Sequence, residues 1–271
     1  MAERYAVIGD PIGHSLSPLL YNTMARELGL DLAYGAERVS VEGLGQWVER
    51  VRREGWAGFN ATMPHKLHLR ALVDEETAQA RYFGAVNTVR NDGGRLIGHN
   101  TDGDGFARML AEHGRTFRGS RVTVLGAGGA AGAIVRKAFQ EGAAAVTICN
   151  RTLARAEALA AEAPAVARAA GPDGPIPADT DLLINTIPAG GGPDGRAVAG
   201  LGPDALVVDI LYSPPRTPLL EAAEARGLEA VNGLGMLIHQ AILALEFYTR
   251  RQLPAAELAK TLYKAAESSI Y

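Results

Sequence analysis

VTVLGAGGAAGAI, residues 122–134, decides the fold. A β-rich apolar run enters a glycine turn, and a helix of small residues follows. Gly126, Gly128 and Ala131 stand at the G-x-G-x-x-G/A spacing. The first glycine permits a tight turn, the second lets a pyrophosphate reach the main chain, and the third small residue lets helix and strand pack closely. Free N–H groups and the helix dipole favour an anion at that helix start. A ligand-free strand–helix turn has the same outline, so the spacing is informative only in this context of strand before and helix after. Gly126, Ala127, Gly128, Gly129 and Ala130 are therefore expected to hold a dinucleotide.

The strand that follows indicates which dinucleotide. An NAD site usually sets Asp or Glu about 20 residues on, for the ribose 2′-hydroxyl. Here that place reads CNRTLAR, residues 149–155, with no carboxylate. Arg151 follows the strand directly and Arg155 lies one turn later, and two forked guanidinium groups suit a 2′-phosphate. NADP is expected, held by Asn150, Arg151, Thr152, Leu153, Ala154 and Arg155. Arg155 also reads as a solvated helix residue. Cys149 ends the strand as a small buried hydrophobe.

Outward from this unit, strands alternate with helices along the chain, which implies parallel sheets built from βαβ units. Strands are expected at 5–9, 33–39, 57–62, 121–128, 145–150, 181–187 and 206–210. Helices are expected at 17–29, 44–55, 103–114, 129–142 and 153–163, with two more after Leu234 divided near Pro254. Residues 84–100 read as a hairpin turning at NDGG. Loops rich in proline and glycine fall at 171–177 and 188–195.

The chain has 271 residues, 47% hydrophobic, with a net charge of −3. One large or two modest domains fit that length. No run of like charge suggests a nucleic-acid or anionic-membrane surface. A single cysteine excludes an intramolecular disulfide and fits a reducing compartment. The start MAERYAVIGD lacks the signal-peptide pattern, and no apolar run reaches the ~18–20 residues of a membrane span. A soluble, cytoplasmic protein is expected.

GFNATMPHK, residues 58–66, crowds Asn60, Thr62 and Lys66 at a strand end, where Pro64 is expected to start a helix carrying Lys66. Three other stretches share its character. GHSLSP (13–18) sets Ser15 and Ser17 past a strand, AVNT (85–88) puts Asn87 in an apolar strand, and GHNTDGDG (98–105) puts Thr101 and Asp102 before a helix. Ligands of open parallel sheets bind at such ends. The hydroxyls, amides, carboxylate and ammonium suit a small polyhydroxylated acid. Each residue has a plainer role: Ser17 and Asp102 as helix caps, Lys66 as an exposed helix residue. His65 and His68 have no third ligand at metal-site spacing, so no metal is expected. His14–Ser15 lacks a G-x-S-x-G elbow, which argues against nucleophilic serine chemistry.

The ordered set GHSLSP, NATMPHK, GAVNTV, GHNTDGDGF, GAGGAAGA, NRTLAR, DILYSPPRTPLL and NGLGMLIHQ resembles the shikimate dehydrogenase family, from residue 5 to about residue 250. The resemblance implies a two-domain α/β fold: a substrate-binding α/β domain (1–102 and 236–271) with an inserted Rossmann NADP-binding domain (103–235) and the active site in the cleft. It implies reversible NADPH-dependent reduction of 3-dehydroshikimate to shikimate, on the route to chorismate and the aromatic amino acids. Carried over by motif, Ser15, Leu16 and Ser17 would meet the substrate carboxylate. Asn60, Thr62, Lys66, Asn87, Asp102, Tyr212 and Gln240 would complete that site, with Lys66 and Asp102 as the catalytic pair. Ile210 and Gly233 would lie near the nicotinamide. The chain departs from the family at Ala61, where valine is common, and at Ile187 in NTIP (185–188), where a threonine is common; Ile187 is not expected as a polar ligand.

Rival readings are a quinate/shikimate dehydrogenase of broader substrate or NAD use, and a non-catalytic sensor of NADP or a cyclic acid. Ser17 and the two arginines argue against the first, and the retained Lys66 and Asp102 against the second. Monomer and homodimer both stay open.

Overall fold

A computed structural model describes residues 2–188, 192, 193 and 195–270. The chain divides into two units, one running to Gly105 and resuming at Leu237, the other Phe106–Met236. Of the expected 188–195 loop, residues 189–191 and 194 lie outside the described residues.

The first unit opens with β1 (Glu3–Gly9), α1 (Ser17–Leu28), β2 (Leu32–Arg38), α2 (Leu44–Arg53) and β3 (Gly58–Ala61). It continues with β4 (Glu75–Glu76), α3 (Ala78–Phe83), β5 (Thr88–Asp92) and β6 (Arg95–His99), and α4 (Asp102–Glu112) leads out of it. β1 pairs in parallel with β2 and β3. Its last five residues are buried, as an inner parallel strand requires. α1 ends at Gly29, whose φ of 60° supplies the left-handed C-terminal turn. α2 buries Leu44, Trp47, Val48 and Val51, an i, i+3, i+4, i+7 stripe, under the sheet. Trp47, Trp56, Phe59, Val86 and Val89 belong to the core there.

The sheet order is β2-β1-β3-β5-β6-β4. It is mixed where the alternation implied a parallel sheet. β5 runs antiparallel to both β3 and β6, and the Gly93–Gly94 turn folds β6 straight back along β5. Asn91 Oδ1 closes that turn by accepting from the Gly94 N–H at 2.7 Å.

The second unit holds β7 (Arg121–Leu125), α5 (Gly129–Glu141), β8 (Ala145–Cys149), α6 (Leu153–Ala160), β9 (Ala167–Ala170), β10 (Leu182–Asn185), β11 (Leu206–Asp209), α7 (Pro218–Ala225) and β12 (Glu229–Asn232). α8 (Leu234–Thr249) carries the chain back to the first unit, which ends with α9 (Ala255–Ile270). All pairings in the β12-β11-β10-β7-β8-β9 sheet are parallel. Read from β7, the order is that of the dinucleotide-binding doubly wound fold, with its topological switch between β7 and β10. Val122, Val124, Ile134, Val146, Ile148 and Ile184 are core residues on one side of this sheet.

β9, β12 and α7 were not expected from the sequence. The two strands are the sheet's edges, and ARAA and EAVN carry little β-branched or aromatic signal.

Candidate functional site

β3 delivers the GFNATMPHK stretch to its carboxyl end. The expected helix from Pro64 does not form: a turn runs from Met63 to Leu67, and a 3-10 helix follows at His68–Ala71. The reason is a pairing with a segment distant in sequence. The Lys66 carbonyl accepts from the Val86 N–H at 2.8 Å, so it joins the segment leading into β5 rather than a helical ladder. Lys66 is thereby fixed beside Asn87, which lies one residue before β5 and not inside the strand.

Lys66 Nζ donates to Asp102 Oδ2 at 2.7 Å, with side chains 16% and 4% exposed. Among the described residues this is the ammonium group's only hydrogen-bond partner, so two of its three N–H groups can serve a ligand. Asn87 Nδ2 donates to the other Asp102 oxygen at 2.8 Å and to Thr101 Oγ1 at 3.0 Å. Asn87 Oδ1 accepts from the Thr101 N–H at 3.0 Å. Asp102 is the first residue of α4, and its own N–H donates to Asn100 Oδ1 at 3.0 Å. The carboxylate faces the lysine rather than acting only as a helix cap.

Gln240, on α8, approaches the same cluster. Its Nε2 donates to the Leu237 carbonyl at 3.0 Å, and Thr101 Oγ1 lies 3.4 Å from its Oε1. Gly105 permits this approach, because a Cβ there would stand 2.8 Å from Gln240 Cβ. Sequence reading assigned Gly105 nothing, although the glycine in GHNTDGDG was the available signal.

Asn60 sits in a closed set of protein hydrogen bonds. Its Oδ1 accepts from Tyr34 Oη at 2.7 Å and Tyr248 Oη at 2.9 Å. Its Nδ2 donates to Thr88 Oγ1 at 3.0 Å and the Asn87 carbonyl at 3.3 Å. Two acceptor and two donor positions exhaust a side-chain amide. Asn60 is braced here by protein groups on all four positions. Thr62 instead keeps its hydroxyl clear of protein partners among the described residues.

Ser17 begins α1, but no side chain caps that helix, so the capping role does not apply. Ser15 Oγ accepts from the Ser17 N–H at 3.3 Å, which ties the two serines together around half-buried Leu16.

In the second unit, Gly126 has a φ of 110°, and a Cβ there would strike Thr186 Oγ1. Thr186 in turn donates to the Leu125 carbonyl at 2.8 Å. This contact joins the loops after β7 and β10 at the topological switch, where such sheets bind ligands. Gly128 precedes α5 with open space where a Cβ would be, so the main chain there is approachable. Ala131 is fully buried under the helix. Ala127, Gly129 and Ala130 complete the loop and first turn. After β8, Asn150 Nδ2 donates to the Thr152 carbonyl at 2.9 Å, and Leu153 and Ala154 open α6. Arg151 and Arg155 are exposed, and their guanidinium groups have no protein partner among the described residues. A helix start with a bare glycine and two uncommitted guanidiniums fits a dinucleotide carrying an extra phosphate.

Ile210, Leu211 and half-buried Tyr212 follow β11 in the same unit. Buried Asp209 fixes their path: it accepts from Asn185 Nδ2 at 3.0 Å, Thr217 Oγ1 at 2.9 Å and the Leu211 N–H at 3.1 Å. Gly233 donates its N–H to the Leu211 carbonyl at 2.9 Å, and a Cβ on it would collide with the Ile210 carbonyl. Ile187 packs against the apolar cluster around Leu183, Leu219 and Leu220, consistent with a non-polar role. Cys149 lies in that cluster, and burial pushes its thiol up. His65 Nε2 lies 2.8 Å from the Val39 carbonyl, and His68 Nδ1 lies 3.2 Å from the Pro64 carbonyl.

Residues 7–89 match the family profile described as the shikimate dehydrogenase substrate binding domain, and 108–171 match shikimate / quinate 5-dehydrogenase. The chain is 40% identical to the shikimate dehydrogenase (NADP(+)) of Desulfitobacterium hafniense, over 98% of this chain and 99% of that one. The crystal structure of shikimate 5-dehydrogenase from Thermus thermophilus, in complex with NADP(H) and shikimate, superposes with a TM-score of 0.85. It shares 33% identity and the match covers 97% of this chain and 99% of that one. The ligand-free 5-ketofructose reductase of a Gluconobacter species has a TM-score of 0.83 at 33% identity, covering 97% and 99% of the two chains.

Proposed function

The chain belongs to the shikimate dehydrogenase family, and from that premise we propose that it interconverts shikimate and 3-dehydroshikimate with NADP, using Lys66 as the proton-transfer group. The observation that supports the assignment of Lys66 is its ion pair with buried Asp102, which leaves two N–H groups for a substrate oxygen.

When bound, NADP supplies the hydride acceptor for oxidation and, reduced, the hydride donor for the reverse reaction. Gly126–Ala130 and the α5 start would hold its pyrophosphate; Asn150, Thr152 and above all Arg151 and Arg155 would hold its 2′-phosphate. Lys66, as the neutral amine, takes the proton of the substrate hydroxyl that becomes the ketone. As the ammonium, it returns that proton to the ketone oxygen. Asp102 orients Lys66 and accepts from a neighbouring ring hydroxyl. Asn87, Thr62 and Gln240 hold the ring by hydrogen bonds, and Ser15 and Ser17 hold the carboxylate. Tyr212, Ile210 and Gly233 are assigned to the reacting end.

The first unit serves as the substrate domain and the second as the NADP domain. Among the described residues no helix is long and apolar enough to cross a membrane. A cytoplasmic location is supported by the lone buried Cys149. The Lys66–Asp102 network is made within one chain, which suits a monomer or a homodimer. Assay of shikimate and quinate with NADP and NAD tests the reading. Shikimate with NADP is expected to be the best pair, and preference for quinate or NAD would contradict it.

A further inference from the structure

Asn60 joins the Lys66–Asp102 pair to a group of buried tyrosines through bonds that all point one way. Tyr34 and Tyr248 donate to Asn60 Oδ1 at 2.7 and 2.9 Å. Asn60 Nδ2 donates to Thr88 Oγ1 at 3.0 Å, and Thr88 Oγ1 donates to Asn87 Oδ1 at 2.9 Å. Asn87 Nδ2 donates to Asp102 Oδ1 at 2.8 Å. No member from Tyr34 to Asp102 is more than 7% exposed.

Two main-chain groups fix this polarity. The Asn87 carbonyl can only accept, so it draws Asn60 Nδ2 toward it at 3.3 Å and turns Oδ1 to the tyrosines. The Thr101 N–H can only donate, so at 3.0 Å it holds Asn87 Oδ1 and turns Nδ2 to Asp102. With both amides fixed, the Thr88 hydroxyl has one arrangement: it donates to Asn87 and accepts from Asn60. Burial raises the Tyr34 and Tyr248 phenols well above their usual range, so both remain O–H donors. Gly58 makes room for the chain's far end, since a Cβ there would stand 2.9 Å from the Tyr248 ring. Bonds aligned in this way polarise one another and strengthen the last donor in a low-dielectric setting.

We propose that Tyr34, Tyr248, Asn60 and Thr88 are positioning residues, a one-way hydrogen-bond chain that holds the Asn87 amide and, through it, the Asp102 carboxylate in register with Lys66. The proposal rests on the reading of Lys66 and Asp102 as the reacting pair. It gives the amide in GFNATMPHK a role in aligning the site.

The test compares Thr88→Val, Thr88→Ser and the double variant Tyr34→Phe/Tyr248→Phe in shikimate oxidation at saturating NADP, with Lys66→Ala as reference. Valine keeps the β-branch and removes the hydroxyl, leaving buried partners unsatisfied. Thr88→Val is expected to lower kcat at least about tenfold with little change in KM for shikimate, a size typical of one lost buried bond. Thr88→Ser is expected to recover most of that loss, and the double tyrosine variant to lower kcat by a smaller factor. A folded Thr88→Val with wild-type kcat, or a Thr88→Ser as impaired as the valine variant, overturns the proposal. If Thr88→Val fails to fold, the tyrosine pair decides: reduced kcat supports the chain and unchanged kcat overturns it. Wild-type kcat in Lys66→Ala would instead remove the underlying pair, a failure distinct from loss of the chain alone.

Discussion

Lys66 Nζ and Asp102 Oδ2 lie 2.7 Å apart although 36 residues separate them in the chain. The lysine comes from the turn after β3 and the aspartate from the first residue of α4. Asp102→Asn keeps the shape and removes the charge that orients the ammonium group. A fall in kcat of roughly 10²-fold is expected, within the range general acid–base help contributes. Stability should fall by up to about 3 kcal/mol, below the usual loss for a fully buried pair because Lys66 is partly exposed. Steady-state kinetics with thermal unfolding measure both; an asparagine variant as fast as wild type speaks against the pair.

Arg151 and Arg155 are the proposed 2′-phosphate ligands, and on that reading they set cofactor choice. A charge-assisted bond to phosphate is worth about 1.5–3 kcal/mol, or roughly 10- to 100-fold in affinity. Arg151→Ala should weaken NADP binding by that factor and leave NAD binding nearly unchanged. Titration calorimetry with both dinucleotides measures the difference, and equal losses would remove the 2′-phosphate assignment.

Gly233 stands against the Ile210 carbonyl with no room for a side chain. Gly233→Ala must displace the chain after β11, and a fall in Tm of several degrees with lower activity is expected. Gly128→Ala faces open space and should leave Tm within a few degrees while weakening dinucleotide binding. If the two glycine variants lose Tm equally, the space at these positions has been misjudged.

His99 gives the fold a pH dependence. Burial pushes its pKa down to about 4 from 6.5, opposed by Asp104 and aided by Arg90. Its Nδ1 lies 2.8 Å from Thr77 Oγ1 and its ring stacks on Phe247 at 4.5 Å. The unfolded chain therefore binds the proton first as pH falls. Stability from this group is complete above about pH 6.5, declines toward pH 4 and levels off below, for a total of about 3 kcal/mol at most. Urea unfolding of wild type and His99→Phe from pH 7 to 4 measures it. The variant should show the shallower decline, and parallel curves would contradict the assignment.

Much of this was legible in the sequence, for identifiable reasons. The glycine loop, the arginines after β8 and the strand-end polar residues carry local signals, because spacing and residue type reflect what the main chain must do there. β9 and β12 were hidden because edge strands of alanine and charged residues are held by pairing rather than by their own propensity. The bracing of Asn60 was not legible because an amide at a strand end reads alike whether it meets a ligand or Tyr34, and its partners on β2, β5 and α8 are remote in sequence. The turn at Lys66 was hidden for a similar reason: a hydrogen bond from Val86, 20 residues away, cancels the helix that Pro64 suggested.

The central claim is that Lys66 moves the proton in NADP-linked oxidation of shikimate. The most direct measurement is the initial rate of NADPH formation from shikimate, by nicotinamide absorbance, for wild type and Lys66→Ala side by side. Steady turnover by wild type is expected, with a kcat lower by about 10²–10⁴-fold in the variant and KM little changed. No NADPH from the wild-type protein, or equal kcat in the two, would contradict it.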